Sequence, residues 1–226
     1  MTDGPKSIGI IMDGNRRWAK RNGVNILEGH LRGLDKLKEV IDWTLDAGVE
    51  ELTVYAFSNE NWKRSEKEIL DLMSVFRKAF ETYFQEVIER GGRIRFIGER
   101  ERMPKDLQMR MEEMETRSAG GTNGTLVVAL SYGGRSEMLD AVNKLLAEGV
   151  THATESDLRA RMWSSGLLDP DLIIRTSGEQ RLSNFLTWQS TYSELFFVDS
   201  YWPDFSKEEF DCIIEEYRQR DRRTGK

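Results

Sequence analysis

Six short apolar runs govern what this chain can fold into: SIGIIM (7–12), LTVYAF (52–57), IRFIG (94–98), TLVVALS (125–131), LIIR (172–175) and LFFV (195–198). Each has the length and the β-branched or aromatic content of a strand. They are continuously apolar rather than alternating, as strands covered on both faces are. Most of the gaps between them carry apolar residues at helical spacing. That βαβ rhythm predicts a six-stranded, mostly parallel sheet flanked by helices, in a single α/β domain spanning residues 1–226. A chain of 226 residues can bury one sizeable core. No internal repeat or linker-like tract interrupts it, and the loosest stretch, SAGGTNGT (118–125), is short enough to be a loop.

Two serines mark helix starts. Ser206 with Glu209 has the spacing of a capping box at the head of a final amphipathic helix, which runs toward the basic tail RQRDRRTGK. Ser65 with Glu68 has the same spacing, and one continuous helix is predicted from there to about Glu89. Its Ile69, Leu72, Met73, Phe76, Phe80, Phe84 and Val87 form a single apolar stripe. Such a stripe either packs a core or lines a hydrophobic tunnel, and the pattern does not separate the two.

Charge and cysteine usage remove several function classes. A net charge of −6 offers no general attraction to nucleic acid or to an anionic membrane, so an anionic ligand must meet a local basic cluster. One cysteine, Cys212, excludes an intramolecular disulfide, and with only two histidines a structural zinc site is a poor fit. No apolar run approaches the roughly 20 residues of a membrane span, and the start MTDGPKSIG lacks the apolar core of a secretion signal. The expectation is a cytoplasmic protein without an integral membrane segment.

Ligands of open α/β sheets bind beyond the carboxyl ends of the strands. Strand one ends in Asp13-Gly14-Asn15-Arg16-Arg17, and strand two in FSNENWKRS, which supplies Ser58, Asn61, Trp62 and Arg64. SYGGR follows strand four, and RTSGEQRLSN at strand five supplies Arg175, Arg181 and Ser183. Singly, each residue has a bland reading as a turn, a cap, a gap-filler or a surface cation. Together, arginine forks, hydroxyls and helix-start N–H groups are what grips phosphate oxygens. Asp13 among them is an unwelcome anion unless it carries a metal or takes a proton, and an aspartate beside arginines with bound Mg²⁺ makes a consistent diphosphate site. Nucleotide cradles are missing: there is no GxxxxGK[ST], and no GxGxxG after the first strand. There is likewise no adjacent Asp-Asp pair and no GxSxG elbow.

These motifs, in order, resemble the cis-prenyltransferases, the undecaprenyl diphosphate synthase group. The match runs from IMDGNRRWA through GH, YAFSNENWKRS, YGGR and DLIIRTSGEQRLSNFLTWQ to YSELFFVDSYWPDF and the terminal RRTG. The resemblance implies a homodimer, a hydrophobic tunnel for the growing chain, and Mg²⁺-dependent addition of isopentenyl diphosphate to an allylic diphosphate. Carried over by motif, Asp13 orients Mg²⁺, while Gly14, Asn15, Arg16, Arg17, Trp18 and His30 surround the allylic diphosphate. Ser58, Asn61, Trp62 and Arg64 belong with the reacting groups. Arg175, Arg181 and Ser183 hold the second diphosphate. Glu194 corresponds to a further metal-linked carboxylate, and Arg223 and Gly225 to a terminal Arg-x-Gly element that reaches the neighbouring subunit. Asp13, a relay through Ser58 and Asn61, and the released diphosphate all stay open as acceptors of the proton that is lost.

The chain departs from this pattern at several positions. Ile26 stands where many members carry an arginine ahead of the GH, with the acidic Glu28 close by. Ser131 replaces the usual Asn before YGGR, and Thr187 replaces a common leucine. Bulky Phe76, Phe80, Tyr83 and Phe84 on the tunnel helix point to a short or medium product, because a filled tunnel cannot take added isoprene units. The main alternative is irregular head-to-middle coupling with dimethylallyl diphosphate as second substrate. A non-catalytic accessory subunit is a further class, disfavoured by the joint presence of Asp13, Asn61, Arg175, Arg181 and Glu194. A nucleic-acid-binding module needs a basic, aromatic face that the acidic balance does not supply.

Overall fold

A computed structural model describes residues 4–220. Its sheet has six strands: β1 (Ser7–Ile11), β2 (Glu51–Ser58), β3 (Arg93–Ile97), β4 (Thr125–Tyr132), β5 (Leu172–Arg175) and β6 (Glu194–Phe197). They lie in the order β3-β4-β2-β1-β5-β6. Every pairing is parallel, which is stricter than the mostly parallel sheet expected from the apolar runs. Around it run α1 (Asn15–Arg21), α2 (Ile26–Asp46), α3 (Glu66–Glu81), α4 (Tyr83–Glu89), α5 (Lys105–Ser118), α6 (Gly134–Ala147), α7 (Glu155–Arg161) and α8 (Lys207–Gln219). None of these described helices is long and apolar enough to cross a membrane.

The continuous apolar runs are explained by burial on both faces. Ile8, Ile10, Val54, Val128 and Ile174 face the larger core, beneath α2, α3 and α8. Ile11, Val127, Ala129 and Ile173 point the other way and meet Tyr132, Phe185 and Leu186. Chain order reverses around β1, with β2 on one side and β5 on the other, so a crevice opens beyond the carboxyl ends of β1, β2 and β5.

The expected long helix is two helices. At Thr82 the backbone leaves helical geometry (φ −124°, ψ −82°), separating α3 from α4. The Thr82 hydroxyl donates to the Lys78 carbonyl at 2.8 Å, and this backward bond from a β-branched residue favours a bend. Only half of the first capping box forms. Ser65 Oγ accepts from the Glu68 N–H, while the Glu68 carboxylate turns to Arg64 and Arg16 instead of returning to the cap. The box at Ser206 and Glu209 closes in both directions.

Close contact between α1 and α2 rests on two glycines one helical turn apart. A Cβ at Gly29 would lie 2.4 Å from the Asn15 carbonyl oxygen, and one at Gly33 would lie 2.3 Å from Asn15 Oδ1. The bare backbone of α2 therefore seats the first residue of α1, at the rim of the crevice.

Candidate active site

β1 ends against a turn that pins Asp13. Its carbonyl accepts from Thr176 Oγ1 at 2.6 Å and from the Trp202 N–H at 2.9 Å. Gly14 follows at φ 107°, and a Cβ there would touch Tyr201 at 2.9 Å, so glycine is required on both counts. The turn aims the Asp13 carboxylate into the crevice. Oδ2 takes Arg175 Nη2 at 2.8 Å and Oδ1 takes Arg17 Nη2 at 3.2 Å.

Arg175 is the anchor of the second wall. It is 4% exposed and also donates through Nη1 to Ser183 Oγ at 2.8 Å and to the Arg181 carbonyl at 2.6 Å. A planar fork with several fixed donors suits this position in a way that a lysine does not. The loop it holds is strained, since Ser183, Asn184 and Leu186 have positive φ of 49°, 68° and 43°. Such residues cost of order 1–3 kcal/mol each and persist only where their surroundings impose them. Here the Gly134 N–H donates to the Asn184 carbonyl at 2.7 Å, the Arg135 N–H to Asn184 Oδ1 at 2.9 Å, and the Tyr55 hydroxyl to the carbonyls of Tyr132 and Ser183. Burial pushes the Tyr55 hydroxyl far above its usual range, so it stays a neutral donor.

The opposite wall comes from α1, α2 and the turn after β2. Asn61 Oδ1 accepts from the Ser58 N–H at 3.1 Å, fixing the NENWK turn. Glu68 is 8% exposed and holds Arg64 at 2.9 Å and Arg16 at 3.5 Å. Burial, aided by Arg64 and Arg16, depresses the His30 imidazole to a pKa of about 4, and its Nε2 is buried without a partner. His30 is therefore neutral in the folded protein over the physiological range, whereas in the unfolded chain it protonates near pH 6.5. The unfolded state then binds the extra proton as pH falls from about 6.5 to 4, and stability drops across that window by up to about 3 kcal/mol. We expect His30→Gln to flatten the pH dependence of Tm between pH 4 and 6.5; a profile as steep as that of the wild type would assign the acid lability elsewhere.

Together these residues enclose a cleft of about 1140 Å³ lined by Asp13, Gly14, Asn15, Arg16, Arg17, His30, Ser58, Asn61, Arg64, Arg175 and Ser183. It adjoins an apolar recess of about 70 Å³, which shares Met12, Asn15, His30, Ala56 and Leu72 with it and ends among Phe76, Phe80 and Phe84. That volume is less than half of the ~150 Å³ in which a benzene can be accommodated. The tunnel that the resemblance implies is here a short recess, as the bulky Phe76, Phe80 and Phe84 suggest, because Phe80 packs at 5.1 Å from Phe84 and 5.4 Å from Phe96 and closes it. Tyr83 takes no part, since its hydroxyl points away to Asp35 at 2.5 Å.

Several expected site residues lie elsewhere. Trp18 is outside the cleft, its Nε1 donating to Asp204 at 2.7 Å. Trp62 stands behind the wall, edge-on to Phe57 at 4.9 Å and donating to Ser131 Oγ at 2.9 Å. The Arg181 side chain is at the surface and pairs with Glu179, although its carbonyl reaches Arg175. Glu194 opens β6 in register with Leu172, at the amino ends of the strands, and binds Arg220 at 2.6 Å. One chain thus places Glu194 and Asp13 at opposite edges of the sheet, because a parallel strand has its first residue on the far side from the crevice. Arg223 and Gly225 lie outside the described residues. Conversely, Tyr55, Glu60 and Asn184 line the cleft, and Glu68 and Glu179 hold its arginines. Glu68 shows in the sequence only as a cap partner of Ser65, and the others only as residues in or near the segments that follow strand ends.

No group of three carboxylate, histidine or cysteine side chains is gathered among the described residues. A divalent cation could still be held here by Asp13 together with oxygens of a bound diphosphate. One carboxylate plus substrate phosphates is a donor set that suits Mg²⁺.

A family model described as "putative undecaprenyl diphosphate synthase" matches residues 11–225. The chain is a cis-prenyltransferase. An isoprenyl transferase of Agrobacterium fabrum is 44% identical to it over 98% of this chain and 92% of the relative. Another, from Thermotoga maritima, is 42% identical over 98% and 97%. Among solved structures, lavandulyl diphosphate synthase from Lavandula x intermedia, in complex with dimethylallyl diphosphate, superposes with a TM-score of 0.94 at 31% identity, covering 99% of both chains. A probable undecaprenyl diphosphate synthase from Campylobacter jejuni superposes with a TM-score of 0.84 at 27% identity, covering 98% of this chain and 99% of that one. As a prenyl diphosphate synthase of this family, the enzyme has its polar residues gathered where the topology of a parallel sheet leaves room for a ligand.

Proposed function

We propose that this cis-prenyltransferase condenses an allylic prenyl diphosphate with a second five-carbon diphosphate, isopentenyl diphosphate in the family's usual reaction, to give a short prenyl diphosphate. The observation that carries this is the single cleft, with guanidinium groups on two walls and an apolar recess beneath. Arg16, Arg17, Arg64, Asn15 and His30 take the allylic diphosphate, while Arg175 and Ser183 take the second, joined by Arg181 from the surface once it releases Glu179. Mg²⁺ bound to the diphosphate through Asp13 would offset the negative charge that grows on the leaving group. The arginines stabilise the same charge, and the apolar recess keeps water from the carbocation at the allylic carbon. Ser58 and Asn61 fix the turn against which the second alkene is oriented, and orientation alone lowers the barrier substantially. A proton then leaves the newly added unit; Asp13, the Ser58–Asn61 pair and the released diphosphate are the acceptors in reach. The unpartnered His30 Nε2 faces the same part of the cleft.

Two observations favour irregular coupling with dimethylallyl diphosphate as the second reading. The first is the likeness to lavandulyl diphosphate synthase. The second is Ile26, an apolar, 38% exposed side chain on the lip of the cleft, where an arginine would add a cation. One experiment tests both. Purified enzyme with Mg²⁺ is given dimethylallyl, geranyl or farnesyl diphosphate, each with and without isopentenyl diphosphate, and dephosphorylated products are identified by mass and NMR. Cis-linked products that require isopentenyl diphosphate support the main reading, and branched products without it support the second. No product under any condition overturns both.

A homodimer is part of the same proposal. On α6, Leu139, Val142 and Leu146 are 63%, 41% and 65% exposed at i, i+3 and i+7, a strip that asks for a partner. The β6 edge adds exposed Leu195, with Tyr192 just before it. We expect Leu146→Glu to shift the protein from dimer to monomer in multi-angle light scattering; a monomeric wild type would refute the assignment.

A further inference from the structure

Glu179 commits each of its carboxylate oxygens to a different arginine. Oε1 accepts from Arg17 Nη1 at 3.0 Å, and Oε2 accepts from Arg181. Arg17 stands on α1, beyond β1, and lines the cleft, while Arg181 is in the loop after β5 at the surface, so the glutamate ties a cleft arginine to one beside it. Those two arginines are the ones expected to serve different diphosphates.

The backbone that delivers Glu179 is held in an unfavourable shape at Ser177, though not at the glycine after it. Ser177 and Gly178 have positive φ of 84° and 74°. The Ser177 N–H donates to the Ser200 carbonyl and the Gly178 N–H to the Val198 carbonyl, each at 2.8 Å, which pins the turn. Ser177 is 7% exposed and its hydroxyl has no partner, so the serine is not kept there for a bond of its own. A non-glycine residue held at such a φ is a recurring mark of a functional position.

As a strap on the fold the pairing adds little, because Arg181 is 59% exposed and surface ion pairs are weak. As a competitor it matters more. An N–H that donates to a carboxylate is not available to a phosphate oxygen, and a carboxylate at that distance repels an arriving anion. Arg181, with Arg17 behind it, holds the Glu179 carboxyl below the usual carboxylate range, so the charge is present at any working pH.

We propose that Glu179 is a specificity-determining residue of the diphosphate site: it occupies donors of Arg17 and Arg181 and disfavours a bare diphosphate, so that the cleft prefers a diphosphate screened by a divalent cation. This rests on the reading of the cleft as a diphosphate site. The test is calorimetric titration of inorganic pyrophosphate into wild-type enzyme, E179Q, E179D and R181A, in EDTA and again with Mg²⁺, with melting curves confirming the fold of each.

In EDTA, E179Q is expected to bind pyrophosphate about fivefold to tenfold more tightly than wild type, the effect of removing one like charge at ion-pair distance in a wet site. With Mg²⁺ the gain shrinks, so the ratio of the two affinities falls. E179D, whose shorter arm cannot reach both arginines, lies between. Unchanged affinity in EDTA overturns the proposal, and so does weaker binding of E179Q in Mg²⁺ alone, which would make Glu179 a metal ligand. R181A and the wild type separate the two layers of inference: R181A binding pyrophosphate as wild type does removes Arg181 from the site and overturns the proposal alone, whereas a wild type that binds none in either medium overturns the diphosphate reading itself.

Discussion

Asp13→Asn is expected to lower kcat/KM by roughly a hundredfold to a thousandfold, the usual cost of losing one preorganised group that acts on transition-state charge. The substitution is nearly isosteric and keeps one carbonyl oxygen facing Arg175, which also retains Ser183 Oγ and the Arg181 carbonyl as partners. The Asp13 main chain is pinned by Thr176 and Trp202 independently of the side chain. The fold should therefore survive, with a modest drop in Tm from leaving a guanidinium that is 4% exposed less well balanced. The negative charge, and with it a carboxylate placed between Arg17 and Arg175 to share a divalent cation with the substrate, is lost. Steady-state kinetics beside thermal melts check this: near-normal kcat in a folded variant would remove Asp13 from the chemistry.

Shortening Phe80 is expected to lengthen the products. Phe80 is fully buried and closes the recess by packing on Phe84 and Phe96. Phe80→Ala opens space for at least part of another isoprene unit, but truncating a buried phenylalanine costs about 3–5 kcal/mol. Phe80→Leu removes less volume and keeps the site apolar, so it guards against simple unfolding. Product analysis by mass, with geranyl diphosphate as primer, should show chains one or more units longer in both variants. If truncations at Phe76, Phe80 and Phe84 all yield wild-type products, those rings serve the core alone.

Particular residues show how far the amino-acid order reaches. All six strands fall within about two residues of their apolar runs, and for the four central ones burial on both faces leaves no other way to arrange such segments. Asp13, Ser58, Asn61, Arg64, Arg175 and Ser183 converge as expected, since parallel strands deliver their following residues to one edge. Glu194 does not join them within one chain for the same reason: it begins its strand, on the far side of the sheet from the crevice. The Thr82 break and the half-formed box at Ser65 were hidden because each depends on which competing bond wins.

From sequence alone come the sheet, its helical cover and the gathering of anion-binding residues, along with the family to which the motifs point. These follow from apolar periodicity and strand polarity, which act over a few residues and survive any detail of packing. Tertiary structure alone decides that Phe80 closes the recess while Tyr83 turns away to Asp35, that Glu68 and Glu179 take hold of the arginines, and that Trp18 turns outward to Asp204. Those outcomes depend on side chains distant in the chain competing for the same volume or the same donor, and only the folded arrangement brings the competitors together.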